Sequence, residues 1–268
     1  MNKIDLYDPI APMEKNFPIK FRFVNEKDYY PLHWHENVEL LYFRTGVCKV
    51  ICGGESYQTK PGDLFIVNQN ELHSTENDGT GSFFCIRIAP SFFSDVACEN
   101  AQFVPFIAND SFITDCFEQI FTEQREMQEG YDMQLKSLVY GLMAHIIRNY
   151  KTENLTENEL LIKKTKIHRM GDILFYISQH YQSRLTTTGL AEAFHLTDHY
   201  FCSLFKKETG QSPIDYINKF RIEKACVLLK NTDKSITHIA QQVGFDDSNY
   251  FSRIFKKYIK VSPRDYRK

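Results

Sequence analysis

The strongest constraint on the fold is an internal repeat in the last third of the chain. Residues 205–216 read FKKETGQSPIDY and residues 255–266 read FKKYIKVSPRDY, so the two segments align at an offset of 50 residues. Upstream, Leu190-Ala191 aligns with Ile239-Ala240 at an offset of 49, which leaves one extra residue in the turn of the second copy. Apolar residues recur at three- and four-residue spacing, so the repeat predicts two copies of one helical unit.

Each copy has the signals of a helix, a turn and a second helix. In the second copy Ser235 is a suitable N-cap, and Gly244 permits the left-handed backbone that ends the first helix. Thr186 is the corresponding cap in the first copy. Ala191 and Ala240 are small residues that allow the two helices to cross closely, as a helix-turn-helix unit requires. The pattern therefore predicts two such units in an all-α domain at residues 166–268.

The charge distribution favours nucleic acid as the partner of this domain. The whole chain has a net charge of −2, but residues 166–268 hold 17 Lys and Arg against 10 Asp and Glu, a net of +7. The remaining residues hold 15 against 24, a net of −9. Such asymmetry is typical of a chain with one phosphate-binding half. A plain helical bundle would explain the apolar positions, but not the paired lysines at the same place in both copies.

Residues 166–268 resemble the AraC/XylS family of transcription regulators. The resemblance lies in FKKxxGxSPxxY of the first copy and in IAxxVGFxDxNYFSRxFKK of the second, with Arg221 and Ala225 in the connecting helix. It implies a DNA-binding regulator rather than an enzyme, with double-stranded DNA, RNA polymerase and a second copy of the chain as partners. One position departs from the repeat, because Gly210 corresponds to Lys260, where a left-handed cap costs about 1 kcal/mol.

The outward positions of the second helix in each unit, the recognition helices, are the candidates for DNA contact. Arg253 matches the two acceptors of guanine, and Asn249 matches adenine. The first recognition helix offers shorter side chains, so we expect it to contribute less to base reading. Lysines at the helix ends suit phosphates. The predicted set is His199, Cys202, Ser203, Lys206, Lys207, Ser248, Asn249, Ser252, Arg253, Lys256 and Lys257.

Residues 18–105 have the pattern of a different, β-rich domain. Apolar and polar residues alternate between glycine-containing turns, which predicts an antiparallel jelly-roll or cupin-like barrel. Residues 106–150 predict two amphipathic helices that cover the barrel or pair two subunits, and the wide apolar stripe of the second favours a homodimer. Residues 151–165 have the composition of a partly helical linker, and residues 1–17 are expected to form an arm. The fold class is therefore a two-domain α+β protein.

Four polar residues of the barrel form a candidate ligand site. His33, His35 and Glu39 share one face of a strand, and His73 ends a second strand near the same place. Their spacing resembles the first cupin motif and, in part, the second. In metal-dependent cupins such residues hold a divalent transition metal.

Three interpretations of this cluster stay open. In the first, the residues only satisfy one another in a hydrogen-bonded network. In the second, they hold a metal ion that serves metal sensing or enzyme chemistry. In the third, they bind a small-molecule effector, a sugar or similar polyol, as the resemblance to AraC-like regulators implies. We expect the third, with no cofactor and with effector binding shifting the placement of the DNA domains. A constitutive regulator whose barrel only dimerises is a further alternative.

The sequence predicts a cytoplasmic protein with no membrane segment. No run approaches 18 apolar residues, and the N-terminus carries charges where a signal peptide needs an apolar stretch. The seven cysteines are scattered, so we expect them to be small buried side chains rather than disulfides.

Overall fold

The computed structural model describes residues 18–24, 29–77, 79–96, 98 and 100–268. The chain divides into two compact units between His168 and Arg169, and each is described here by itself. The predicted arm, residues 1–17, lies outside the described residues. Among the described helices, none combines the length and apolar composition that a membrane crossing needs.

The N-terminal unit is built on two antiparallel sheets, as predicted. Its main strands are β1 (Ile19–Val24), β2 (Tyr29–His33), β3 (Val38–Thr45), β4 (Cys48–Cys52), β5 (Glu55–Gln58), β6 (Leu64–Val67), β7 (His73–Asn77), β8 (Ser82–Ile88), β9 (Ala101–Phe103) and β10 (Phe106–Ile107). One sheet has the strand order β1-β8-β3-β6-β10, and the other has the order β2-β7-β4-β5. The chain passes repeatedly between the sheets, which fits the predicted cupin-like barrel.

Two helices follow the barrel, as predicted for residues 106–150. They are α1 (Ser111–Glu126) and α2 (Tyr131–Tyr150). Asp110 caps α1 by accepting a hydrogen bond from the Ile113 amide at 3.1 Å. Its other oxygen accepts from the Tyr150 hydroxyl at 2.6 Å and from His145 Nε2 at 2.8 Å. The Asp110 carboxylate thereby joins the start of α1 to the end of α2.

Strand β3 is buried on both faces. Leu40 and Tyr42 belong to a core that packs the five-stranded sheet against α1 and α2. Leu41 and Phe43 belong to a second core between the two sheets. Because successive strand side chains point to opposite faces, a strand with two buried faces has a continuous apolar sequence.

The structure corrects the predicted linker at residues 151–165. Strand β11 (Lys151–Asn154) pairs with β9, and helix α3 (Glu157–His180) begins soon afterwards. All four residues of β11 are exposed, so the strand has no apolar alternation that its sequence could reveal. The start of α3 does carry a signal, because Thr156 and Glu159 form a capping box: the Thr156 amide donates to Glu159 at 2.9 Å, and the Glu159 amide donates to Thr156 Oγ1 at 3.3 Å.

The C-terminal unit contains both predicted helix-turn-helix units. Its remaining helices are α4 (Thr187–Ala193), α5 (Asp198–Thr209), α6 (Pro213–Asn231), α7 (Ile236–Gln242), α8 (Ser248–Ile259) and α9 (Pro263–Arg267). The predicted caps are confirmed, because the side chains of Thr186 and Ser235 accept hydrogen bonds from the first turns of α4 and α7. Ser212 caps α6 in the same way. The turn between α7 and α8 is one residue longer than the turn between α4 and α5, as the alignment of the copies predicts.

The ends of the two recognition helices, α5 and α8, have the same backbone conformation. Gly210 has φ 74°, and its amide donates to the Lys206 carbonyl. Lys260 has φ 70°, and its amide donates to the Lys256 carbonyl. The second copy therefore keeps the left-handed cap without the glycine that relieves its strain.

Candidate functional site

The structure brings the four predicted polar residues of the barrel together. His33 ends β2, Glu39 lies at the start of β3 and His73 begins β7, while His35 lies in the turn before β3. One potential ligand atom from each of the four lies within 4.8 Å of the others, and all four side chains are buried. The strand register explains part of this arrangement, because His33 lies opposite His73.

The three histidines are oriented by backbone carbonyls. The Nδ1 atoms of His33, His35 and His73 lie 2.9, 3.1 and 2.9 Å from the carbonyl oxygens of Pro31, Asn37 and Glu71, respectively. Such contacts fix the ring orientation and turn Nε2 toward the centre of a cluster. The Nε2 atoms of His35 and His73 lie 3.3 and 2.9 Å from the same oxygen of Glu39, Oε2.

Two residues of β8 complete the cluster. Arg87 Nε donates to Glu39 Oε1 at 2.8 Å, and its Nη2 lies 3.4 Å from His33 Nε2. The Cys85 thiol donates to the same Glu39 oxygen at 2.7 Å. The sequence analysis missed both, although β8 lies beside β3 with Arg87 opposite Glu39. Cys85 and Arg87 lie two residues apart, which indicates that they share one face of β8, but no signal in the sequence places that face beside Glu39.

Burial and hydrogen bonding set the protonation of the cluster. Burial lowers the pKa of His33 to about 3, and it also lowers the pKa of His35. Burial alone would raise the pKa of Glu39, but hydrogen bonds from His35 and His73 outweigh it and hold that pKa well below its usual range. Glu39 is therefore an ionised carboxylate, and His33 is neutral.

A cavity of about 210 Å³ adjoins the cluster. Its walls are residues of β1, β2, β3, β7 and β8, with cationic, hydroxyl and apolar side chains, and the two cations of β1, Lys20 and Arg22, are exposed to solvent. The described lining residues are Lys20, Arg22, Val24, Tyr30, His33, Glu39, Leu41, Thr75, Phe83, Cys85 and Arg87. The cavity is thus continuous with His33 and Glu39 of the predicted ligand site.

The first turns of α3 contact residues on either side of the cluster. Lys163 Nζ lies 3.1 Å from Glu71 Oε1, two residues before His73. Lys164 Nζ lies 3.6 Å from Glu36 Oε1. The ring of His168 packs edge-on against Trp34, which lies between His33 and His35. All these contacts lie within the N-terminal unit, and α3 then continues to His180.

Most of the predicted DNA-contacting residues have the exposure that such contact requires. His199, Ser203, Lys206, Lys207, Asn249, Arg253, Lys256 and Lys257 are exposed, whereas Cys202, Ser248 and Ser252 are partly buried. The guanidinium of Arg253 lies over the ring of Tyr250 at 5.2 Å. Lys257 also contacts Asp215 of the connecting helix at 3.1 Å, so its charge is shared with an internal ion pair.

Comparison with known proteins agrees with both halves of this description. Residues 22–143 match the AraC-like ligand binding domain, and residues 190–268 match a helix-turn-helix domain. The chain belongs to the AraC family of transcription regulators. It is a DNA-binding regulator with a ligand-binding domain, and its relatives are regulators rather than enzymes.

Relatives of this AraC-family regulator match it over most of their length. The regulator YdeC of Bacillus subtilis is 23% identical over 260 residues, covering 91% of this chain and 88% of its own. The transcriptional activator RhaS of Escherichia fergusonii is 24% identical over 248 residues, covering 89% and 87%. The structure of ToxT from Vibrio cholerae is similar over 95% of this chain and 98% of its own, with 18% identity and a TM-score of 0.41.

Proposed function

We propose that this AraC-family regulator acts in the cytoplasm and is controlled by a small molecule, a sugar or similar polyol, bound in the barrel cavity. The chemistry of the cavity walls supports this proposal. Tyr30 and Thr75 offer hydroxyl groups, while Val24, Leu41 and Phe83 offer an apolar surface. A concave site of this kind, apolar with a few convergent polar groups, is typical of small-ligand sites.

Thermal denaturation in the presence of a carbohydrate and polyol panel tests this proposal. A ligand present at 100 times its dissociation constant is expected to add roughly 2.7 kcal/mol to the free energy of unfolding. If no small molecule stabilises the protein while it still binds DNA, the barrel only dimerises and the proposal is wrong.

Helix α3 is the proposed route from the cavity to the DNA-binding unit. Its first turns bind Glu71 and Glu36, which flank the histidine cluster, through Lys163 and Lys164. A ligand that shifts these flanking loops changes the free energy of the two ion pairs, and the same helix continues into the C-terminal unit. Control by the effector requires only that it binds two arrangements of α3 with different affinities.

Replacing Lys163 tests this route. Lys163→Gln is expected to leave effector affinity within about twofold, while the change in DNA affinity caused by the effector decreases by the roughly 0.5–2 kcal/mol typical of coupling residues. Lys49→Gln is the matched control, because Lys49 forms a partly exposed ion pair with Glu76 away from the cavity. Equal coupling in both variants would contradict the proposed route.

A divalent transition metal at the histidine cluster is the second candidate function, favoured by the positions of the ring nitrogens. In both His35 and His73, each ring nitrogen faces an oxygen acceptor: Nδ1 faces a backbone carbonyl, and Nε2 faces Glu39 Oε2. Since these oxygens only accept, each ring needs a proton on both nitrogens or a cation at Nε2. Two imidazolium rings beside Arg87 would repel one another in a buried site, whereas a single ion would satisfy both rings.

His33, His35, His73 and Glu39 would hold such an ion, and bound there it would supply a positive charge that attracts an oxygen of the effector. Metal analysis of protein purified without a histidine tag tests this. We expect about one ion per chain, lost in His73→Gln and retained in His199→Gln, whose imidazole is exposed on α5. Metal-free protein after incubation with zinc, manganese, iron, cobalt and nickel would exclude the metal.

We further propose that the chain is a homodimer on DNA and that DNA-bound protein contacts RNA polymerase. The exposed apolar residues Met133 and Tyr140, one heptad apart on α2, support a helical dimer contact. Light scattering at micromolar concentration tests the dimer, and a monomer would contradict it.

In each subunit α8 is proposed to dominate base reading through Asn249 and Arg253.

A further inference from the structure

The strand register places two cations opposite each other at the cavity. Lys20 of β1 pairs with Arg87 of β8, and Arg22 lies two residues along β1, among the same cavity-lining residues. Like charges directly opposite one another on neighbouring strands destabilise a sheet. An anion bound between such side chains offsets this repulsion, because it accepts charge-assisted hydrogen bonds from both.

The described walls of the cavity also carry an excess of positive charge. They include three cations, Lys20, Arg22 and Arg87, and one carboxylate, Glu39, so the excess is 3 − 1 = 2 charges. Glu39 is already bonded, because its Oε1 accepts from Arg87 and Cys85 and its Oε2 lies against two histidines. Any proton or metal ion held by the histidines would increase the excess.

We propose that the effector of this regulator is an anion, a small hydroxylated molecule that carries a carboxylate or phosphate group. This inference rests on the proposed function and sharpens it from a polyol to a polyol with a negative charge. The anionic group binds the Lys20, Arg22 and Arg87 side chains, while Tyr30 and Thr75 bind the hydroxyl groups.

The size of the cavity limits the molecule. A volume of about 210 Å³ lies below the roughly 300–1,000 Å³ that is usual for ligand pockets, so the cavity suits a small molecule of a few carbon atoms. A three-carbon polyol bearing one acidic group has this size. Glycerol, glycerate and glycerol 3-phosphate therefore form a matched series of probes that differ mainly in charge.

The experiment measures the melting temperature and the dissociation constant of the full chain with these three probes, with acetate and with inorganic phosphate. We expect the anions to bind more tightly than glycerol, and the ratio of glycerate to glycerol 3-phosphate to distinguish carboxylate from phosphate. In Lys20→Gln/Arg22→Gln the affinity for the anions should fall about tenfold or more, since hydrogen bonds between charged groups are lost. Because Lys49 does not line the cavity, Lys49→Gln should bind the anions with the affinity of the unmodified protein.

Three results would overturn the inference. Glycerol or a larger neutral polyol binding as tightly as the anions would show a neutral effector site, and the proposed function would survive. Anion affinity unchanged in Lys20→Gln/Arg22→Gln would place the anions elsewhere, such as the basic ends of the recognition helices. No binding by any anion or neutral polyol at about 50 mM would contradict both proposals.

Discussion

Gly244, in the turn of the second helix-turn-helix unit, has no room for a side chain. Its φ is +92°, and a Cβ atom there would lie 2.6 Å from the Tyr181 carbonyl oxygen and 3.0 Å from both Nε and Nη2 of Arg221. Arg221 uses these nitrogens to donate to Tyr181 and Ser183 at 2.7 and 2.8 Å. A methyl group would therefore intrude on the hydrogen bonds by which α6 holds the residues that follow α3.

The cost of Gly244→Ala follows from these contacts. The left-handed backbone costs alanine about 1 kcal/mol. Displacing the guanidinium weakens two hydrogen bonds from a charged donor, each contributing about 1.5–3 kcal/mol. Because the side chain can adjust in part, we expect a loss of about 3–4 kcal/mol, a large fraction of the stability of a small domain.

Urea denaturation followed by circular dichroism measures this loss, together with the affinity for DNA. Gly141→Ala is the matched control, because a Cβ atom at that position of α2 meets nothing within 4 Å. In a helix interior it should stabilise by about 0.5–1 kcal/mol. A Gly244→Ala protein as stable as the unmodified chain would refute the assignment of a steric role to this glycine.

Three further predictions concern the caps and the DNA-binding helix. Lys260→Gly should raise the free energy of unfolding by about 0.5–1 kcal/mol, and Gly210→Lys should lower it by a similar amount, because both positions have positive φ. Urea denaturation measures both changes, and changes of the same sign would contradict this prediction. Burial raises the pKa of Asp110, but hydrogen bonds from Tyr150 and His145 outweigh burial and lower this pKa from 3.8 to about 2. The ionised carboxylate therefore contributes about 2 kcal/mol to the free energy of unfolding above pH 4, and this contribution is lost as the pH falls toward 2. Asp110→Asn should therefore destabilise at pH 7 and reduce the loss of stability between pH 4 and 2, and an unchanged pH profile would be inconsistent with that role. Arg253→Ala should cost about 1–3 kcal/mol of operator affinity and relax specificity at one base pair, whereas Lys256→Ala should weaken all DNA equally; an unchanged footprint and affinity in Arg253→Ala would rule out base reading by this residue.

Local signals in the sequence were sufficient for the helix-turn-helix units. Thr186 and Ser235 bond to amides in the next turn of their own helices, and Gly244 ends α7 through its own backbone conformation, so each effect operates over a few residues. Features of this kind are readable because the interacting residues are close in the chain.

The grouping of His33, His35 and Glu39 was also predicted, but the single strand predicted to carry them was wrong. His33 ends β2, His35 lies in the turn and Glu39 begins β3, while His73 begins β7 rather than ending a strand.

Features that depend on pairing between distant segments were not readable. Arg87 and Cys85 reach Glu39 only because β8 lies beside β3 in one particular register. Strand β11 forms because its backbone pairs with β9, while its side chains are all exposed. The capping box at Thr156 was readable, but the polar composition around it indicated a linker. A single sequence contains no direct record of strand register, which explains these misses.

Control of DNA binding by occupancy of the barrel cavity is the main proposed property of this regulator. An operator is first located by footprinting the DNA that flanks the regulator's own gene. The affinity of the full chain for this operator is then measured with and without the probe that stabilises the protein most. Coupling of the usual size predicts a change of about 5- to 150-fold in operator affinity. The change should disappear at the same probe concentration in Lys20→Gln/Arg22→Gln, which still carries intact recognition helices. Identical operator affinity with the cavity empty and saturated would contradict the claim.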